Sequence, residues 1–167
     1  MLNRPSRGTK IERLLDQERW ADARAEIRRQ LKETPNSHWL VTRLGLTYYE
    51  EGHYRMALRY SERAFEMAPE CPMVLWDYAG DLQMLGRHAE ALDLYARLVS
   101  QGVEGLLENP CSEGRAKARG LIADSHYRAY QSLAALGNKE ASDSAFAQCL
   151  DMRGPGCRSI YKLDELV

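Results

Sequence analysis

The sequence predicts an all-α protein built from antiparallel helix hairpins that stack one on the next. The main observation is a spacing of 34 residues that recurs in several independent series. Helical periodicity runs through the segments outside the turns, and a fixed period of roughly twenty to fifty residues is typical of stacked supersecondary units. The series are Ala23, Ala57 and Ala91; Pro35 and Pro69; Gly52 and Gly86; and Trp20, Tyr54 and His88.

The segment 38–71 shows the repeat most completely. Gly45 and Ala57 are small at the positions where two antiparallel helices must approach closely. Gly52 is expected in the turn, because glycine adopts the required backbone conformation without strain. Pro69 is expected to stop the second helix. The full pattern consists of Leu44, Gly45, Tyr48, Gly52, Ala57, Ala64 and Pro69.

This pattern resembles the tetratricopeptide repeat (TPR), W-x2-L-G-x2-Y…A-x3-F…P, with Val41 at the tryptophan position and Ser61 at the phenylalanine position. The resemblance covers most of the chain. It implies a TPR-type right-handed superhelical solenoid of antiparallel helix hairpins. It also implies a concave groove, formed by the first helix of each hairpin, that binds a partner polypeptide.

We expect one TPR domain over residues 1–167. A possible capping box at Thr9 places the start of the first helix near Lys10. The insertion is expected to form a short loop around Asn109 and Pro110 that leads into a lengthened helix. The predicted segments are units at about 4–37, 38–71 and 72–105, an insertion at 106–122, a fourth unit at 123–156, and a C-terminal tail at 157–167.

The repeat register predicts which side chains line the groove. Rigid aromatic rings and methionine beside polar donors suit a peptide anchor site. Two arginines on the same helices could pair with an acidic segment of the partner. The expected partner-binding residues are Trp39, Thr42, Arg43, Leu46, Tyr49, Met73, Trp76, Gln83, Met84, Tyr127, Arg128 and Gln131. The inner positions lack the lysine and asparagine with which some TPR proteins bind chaperone C-termini, so that specificity is not expected.

Composition argues against nucleic-acid and membrane partners. Lysine and arginine total 23 against 24 acidic residues, so the chain offers no general attraction for phosphate. Residues 4–32 hold nine basic and five acidic residues, which are interleaved at helical spacing and predict ion pairs on a solvated helix face. The sequence shows neither a secretory signal nor an apolar run long enough to cross a bilayer, which predicts a cytoplasmic protein.

No motif predicts catalysis, a cofactor or a metal site. Asp124, Ser125 and His126 are adjacent in sequence, but neighbours on a helix point in different directions and cannot form a triad by themselves. The four cysteines and His126 lack the spacings with which one turn or one helix face presents two metal ligands. We expect Cys149 at a helix contact and Cys71 at a helix cap.

An alternative function is a structural subunit that self-associates into a homo-oligomer or stacks into a larger assembly. Ile160, Leu163 and Leu166 suggest a short amphipathic segment in the tail that must bury somewhere. Burial over the groove rings would make the tail an internal competitor. A weaker alternative is a bacterial secretion-type TPR chaperone, which matches the chain only in its length and number of repeats.

Overall fold

The structure is a computed structural model that describes residues 7–162, with side chains from Lys10 onward. Every regular element in that range is a helix, which confirms the all-α class. The helices are α1 (Arg7–Asp16), α2 (Trp20–Glu33), α3 (His38–Glu50), α4 (Tyr54–Met67), α5 (Pro72–Met84), α6 (His88–Ser100), α7 (Gly102–Glu108), α8 (Arg115–Ala135) and α9 (Lys139–Met152). The chain divides into two compact units, Met1–Pro69 and Glu70–Val167.

The hairpin turns repeat the same backbone geometry. Gly52, Gly86 and Gly137 have φ angles of 77°, 76° and 76°, in the left-handed region that favours glycine. In the first of these turns, the amide of Gly52 donates to the Tyr49 carbonyl at 2.9 Å. The first hairpin makes its turn with Glu18, the only non-glycine residue of the described range with positive φ (54°). Glu18 precedes Gly52 by 34 residues, so the turn keeps the repeat register without the glycine.

The first unit stacks the α1–α2 hairpin on the α3–α4 hairpin through α2 and α3. A Cβ built on Gly45 would lie 3.2 Å from Tyr60 Cβ and 3.5 Å from the Ala57 carbonyl oxygen. Ala57 itself is fully buried. The close helix approach predicted at these two positions is therefore confirmed. The first helix begins at Arg7, earlier than predicted. The core of the unit comprises Ile11, Leu14, Leu15, Ala23, Ile27, Leu40 and Leu44.

The basic N-terminal segment is ion-paired within this unit. Glu26 is buried and accepts hydrogen bonds from Lys10 at 2.8 Å, Arg29 at 2.5 Å and Gln30 at 2.9 Å. Arg29 also bridges to Glu33 at 3.2 Å. The predicted ion pairs are confirmed for these residues, but Glu26 is buried and does not lie on a solvated face.

The second unit contains the α5–α6 and α8–α9 hairpins, with α6 and the short α7 packed on α8. The 21 residues of α8 confirm the predicted lengthened helix, and a turn at Asn109 and Pro110 leads towards it. The sequence did not predict α7. Its Leu106 packs with Ala118 and Ile122 of α8, so this part of the insertion adds core to the unit.

Two cysteines occupy the structural positions expected from the sequence. Cys71 is the N-cap residue of α5, directly before Pro72 at the first helical position, where proline costs no intrahelical hydrogen bond. Cys149 of α9 is fully buried. After α9 the chain turns at Gly154–Pro155–Gly156 and runs back along α8 without helical structure as far as Lys162.

Candidate functional site

In the first unit, Trp39 and Arg43 form a connected group on α3. The Arg43 guanidinium carbon lies 5.6 Å from the centroid of the Trp39 ring, within the range of a cation–π contact. Arg43 Nε donates to a carboxylate oxygen of Glu12 in α1 at 2.9 Å. Trp39 is half-buried against the core of its unit, as is Leu46. The ring therefore has fixed support on one side and exposed area on the other.

The other two predicted residues of α3 differ in exposure. Tyr49 is half-buried and meets Tyr54 of α4 edge to face, with ring centroids 5.3 Å apart. Thr42 is 1% exposed, and its hydroxyl donates to the His38 carbonyl at 2.8 Å. In this conformation Thr42 therefore supports the helix and presents almost no surface.

In the second unit, Gln83 joins three helices through its buried amide. Its Nε2 donates to the Arg128 carbonyl at 3.2 Å and to Gln131 Oε1 at 3.4 Å. Its Oε1 accepts from Tyr95 of α6 at 3.0 Å and from Arg128 at 3.3 Å. Because both ends of the amide are bonded, Gln83 fixes the position of α8 relative to α5 and α6.

Arg128 of α8 lies between two aromatic rings. Its guanidinium carbon is 5.9 Å from the Trp76 ring centroid and 5.7 Å from the Tyr161 ring centroid. Trp76 also meets Tyr95 edge to face at 5.9 Å. Tyr161 belongs to the tail and contacts Tyr127 of α8, with centroids 4.8 Å apart. This group combines exposed aromatic area with a fixed positive charge.

The tail is held on α8 by directed hydrogen bonds. The buried carboxylate of Asp124 accepts from the Ser159 hydroxyl and from the Ile160 amide, the latter at 2.9 Å. The Arg158 amide donates to the Ala116 carbonyl at 2.8 Å. Burial raises the pKa of the Asp124 carboxyl, whereas the bonds from Ser159 and Ile160 act in the opposite direction.

Gly120 permits the closest approach of the tail. A Cβ built there would lie 1.9 Å from the Arg158 carbonyl oxygen and 2.3 Å from its carbon. Real Cβ contacts are never so short, so any other residue at position 120 must move the tail backbone. Glycine in the middle of a helix costs about 0.5–1 kcal/mol relative to alanine. This glycine is therefore explained by the tail that packs over it.

The remaining predicted residues belong to α5 and α8. Met84 is 41% exposed and Gln131 is exposed, whereas Met73 and Tyr127 are half-buried. Sequence reasoning missed Tyr161, Ser159 and the role of Asp124. The sequence offers only a serine and a tyrosine on either side of Ile160, which by themselves do not predict contacts with α8.

The prediction that Ile160 buries as part of an amphipathic segment was wrong. Ile160 is 66% exposed and lies where the tail bends, at Ile160 and Tyr161. Ser159 and Tyr161 face α8 instead. Leu163 and Leu166, the other members of the predicted stripe, lie outside the described residues.

Of the adjacent residues Asp124, Ser125 and His126, the first two make structural hydrogen bonds. The Ser125 hydroxyl donates to the Leu121 carbonyl at 2.7 Å, and Asp124 binds the tail. Burial lowers the pKa of His126. Burial, together with a hydrogen bond to Cys111, raises the pKa of Cys71 to about 12, so its thiol is protonated at neutral pH and is a poor nucleophile.

Comparisons with known proteins agree with the repeated hairpins and their shared turn geometry. A family model for the tetratricopeptide repeat matches residues 42–103, which span the second and third predicted units. The chain therefore contains tetratricopeptide repeats over these residues. The TPR fold is that of an interaction or scaffold module, and its members are typically not enzymes.

Solved structures of MamA share the fold of this TPR chain. MamA MSR-1 matches with a TM-score of 0.60 at 19% identity, over 83% of this chain and 70% of that one. MamA AMB-1 matches with a TM-score of 0.59 at 21% identity, over 79% and 68%. A search of curated proteins gave no match. Within the described residues, no helix combines the length and apolar character needed to cross a membrane.

Proposed function

We propose that this TPR protein binds a partner polypeptide along the first helices of its hairpins, in the concave groove predicted from the sequence. The observation that supports this most directly is the tail. The non-helical segment from Arg158 to Tyr161, which bends at Ile160 and Tyr161, lies on α8 and is held through both backbone and side-chain contacts. The face of a first helix in this chain can therefore accommodate a non-helical peptide.

Two aromatic groups supply the anchors in this proposal. Trp39 with Arg43 acts in the first unit, and Trp76 with Arg128 in the second. Aromatic rings and arginine dominate binding energy at protein interfaces, since they give large contact area with little loss of conformational freedom. Gln83 acts by positioning Arg128, because it is buried and bonded to it.

Affinity capture with the full chain, followed by mass spectrometry, tests the proposal. Trp39→Ala and Trp76→Ala should each weaken binding of a captured partner by about 2 kcal/mol or more, while helicity stays nearly unchanged. Matched controls are Met56→Ala on α4 and Leu150→Ala on α9, which remove exposed apolar side chains from second helices. Equal losses in all four variants, or in none, would contradict a site on the first helices.

The purified full chain can also be used to distinguish partner binding from self-association. Size-exclusion chromatography with light scattering should show a monomer that acquires mass only with the partner. A stable oligomer that Trp39→Ala and Trp76→Ala disperse would instead assign these faces to contacts between copies of the chain.

A further inference from the structure

The tail is bound to α8 through contacts that distinguish one side chain from another. Asp124 is 2% exposed, and its carboxylate accepts two donors, the Ser159 hydroxyl and the Ile160 amide. The backbone of any residue except proline could supply the amide. Only a side chain with a hydroxyl or similar donor could supply the first bond, so this position selects serine or a residue like it.

Arg153 makes a second set of hydrogen bonds with the same segment. Its guanidinium donates to the Ser159 hydroxyl oxygen at 3.0 Å and to the Tyr161 carbonyl. The Ser159 hydroxyl thus donates to a carboxylate while it accepts from a guanidinium. Charge-assisted hydrogen bonds of this kind are about twice as strong as neutral ones. An alanine at position 159 would lose both, together with the hydrogen bond that the Tyr161 amide donates to the Ser159 hydroxyl at 3.0 Å.

The third contact is aromatic. The Tyr161 ring lies 4.8 Å from the Tyr127 centroid, and the Arg128 guanidinium lies over it at 5.7 Å. The residue between the two contacts, Ile160, is 66% exposed and faces away from α8. The surface of α8 therefore recognises a hydroxyl residue and an aromatic residue two positions later, whereas the side chain between them is exposed.

We propose that the partner of this TPR protein presents the same chemistry, a serine–any residue–tyrosine segment that bends after the serine, and that Ser159–Tyr161 is an intramolecular occupant that the partner displaces. This inference rests on the proposed function and specifies the ligand of its second-unit site. The tail is joined to α9 by a short link, and a short tether gives a bound segment an effective concentration of about millimolar. A partner in solution must compete with it.

The test uses the full chain and a labelled peptide, acetyl-Arg-Ser-Ile-Tyr-Lys-amide. In the variant Ser159→Ala/Tyr161→Ala the internal segment lacks its anchors. This released chain should bind the peptide at least about ten-fold more tightly than the wild type does. The control peptide, with both serine and tyrosine changed to alanine, should not bind. Adding Asp124→Ala to the released chain should lower its affinity for the first peptide by about ten-fold.

Equal binding of the two peptides, or no binding of either to a released chain that keeps its helical circular dichroism, would overturn the proposal. If the released chain loses its helicity, hydrogen exchange on the wild type decides. Excess serine–tyrosine peptide should speed exchange of the Ile160 amide, and the alanine peptide should not. Unchanged exchange with both peptides rejects the proposal.

These results are independent of the partner captured through Trp39 and Trp76. If those tryptophan variants lose the partner while the serine–tyrosine peptide never binds, the interaction function stands and the ligand assignment fails. If the peptide binds but the tryptophan variants retain the captured partner, the proposed anchor sites are wrong.

Discussion

The α3–α4 and α8–α9 hairpins have the same turn geometry, but their helices pack differently. Gly52 and Gly137 have φ angles of 77° and 76°. In the α3–α4 hairpin, Gly45 and Ser61 allow close contact between the helices. The matching positions of the α8–α9 hairpin are Tyr130 and Phe146, whose ring centroids are 5.0 Å apart. The repeat therefore fixes the turn and the helix order, whereas the contact between the helices tolerates large changes in side-chain volume.

The two hairpins also differ in length, and the difference has a structural use. Helix α3 has 13 residues and α8 has 21. The additional N-terminal part of α8 includes Ala116 and Gly120, both of which contact the tail. The longer α8 thus provides a platform on which the tail docks.

The largest expected effect is that of Gly120→Ala, which would prevent the tail from docking on the additional part of α8. The added methyl group would overlap the Arg158 carbonyl, so the tail must leave α8 or shift along it. Hydrogen exchange at the Arg158 and Ile160 amides should accelerate at least about ten-fold. Gly105→Ala on α7 is the control, since its Cβ would meet only Gln101 Cβ, at an ordinary 3.6 Å. Unchanged exchange in Gly120→Ala would contradict the docked tail.

The sequence predicted what depends on the 34-residue period and missed what depends on single contacts. Gly52 and Ala57 recur every 34 residues, and Gly45 occupies the small-residue position of the same repeat pattern. The hairpins and their close helix contacts therefore follow from the pattern. The tail has no repeat partner. Its position depends on Asp124, and helical periodicity predicts only that Asp124 lies in a helix. The tail itself is not helical, so its sequence does not show which of its side chains face α8.

Ala57→Leu tests whether the tight packing of the α3–α4 hairpin is required. Ala57 is fully buried and its carbonyl faces Gly45, so the added atoms have no room. We expect a loss of roughly 1–3 kcal/mol in the free energy of unfolding. Urea unfolding followed by circular dichroism measures it, with Ala25→Leu at an exposed position of α2 as the control. A variant as stable as the parent would show that the repeat register is wrong.

A smaller effect is expected in the α1–α2 hairpin, where the charged side chain of Glu26 is buried. Hydrogen bonds from Arg29, Gln30 and Lys10 hold the pKa of Glu26 well below its ordinary value. Glu26→Gln should cost about 1 kcal/mol at pH 7. A lowered pKa stabilises the fold above the unfolded value of about 4.3, and the contribution fades as the pH falls below it.

The difference between wild type and Glu26→Gln should therefore shrink as unfolding is measured from pH 5 to pH 3. The control is Glu33→Gln, which removes a more exposed partner of Arg29. A Glu26→Gln penalty that stays constant over this range would mean that the charge of Glu26 contributes nothing to stability.

The smallest effect concerns the turn itself. Glu18 has a φ of 54° where the other hairpins place glycine. Glu18→Gly should relieve this strain, although glycine also adds freedom to the unfolded chain, which leaves a net gain of about 0.5 kcal/mol. Gly52→Ala should change stability in the opposite direction by about 1 kcal/mol. Thermal unfolding of both variants checks the pair, and a destabilised Glu18→Gly would show that the two turns are not equivalent.

The most direct test of partner binding by the first helices is photo-crosslinking from two matched positions. Met84 on α5 is 41% exposed and Met56 on α4 is 37% exposed, so a benzoylphenylalanine replaces either with similar access to solvent. With the captured partner present, irradiation should yield a covalent adduct from position 84 and none from position 56. An adduct from position 56 without one from position 84 would place the binding surface on the second helices and contradict the proposed function.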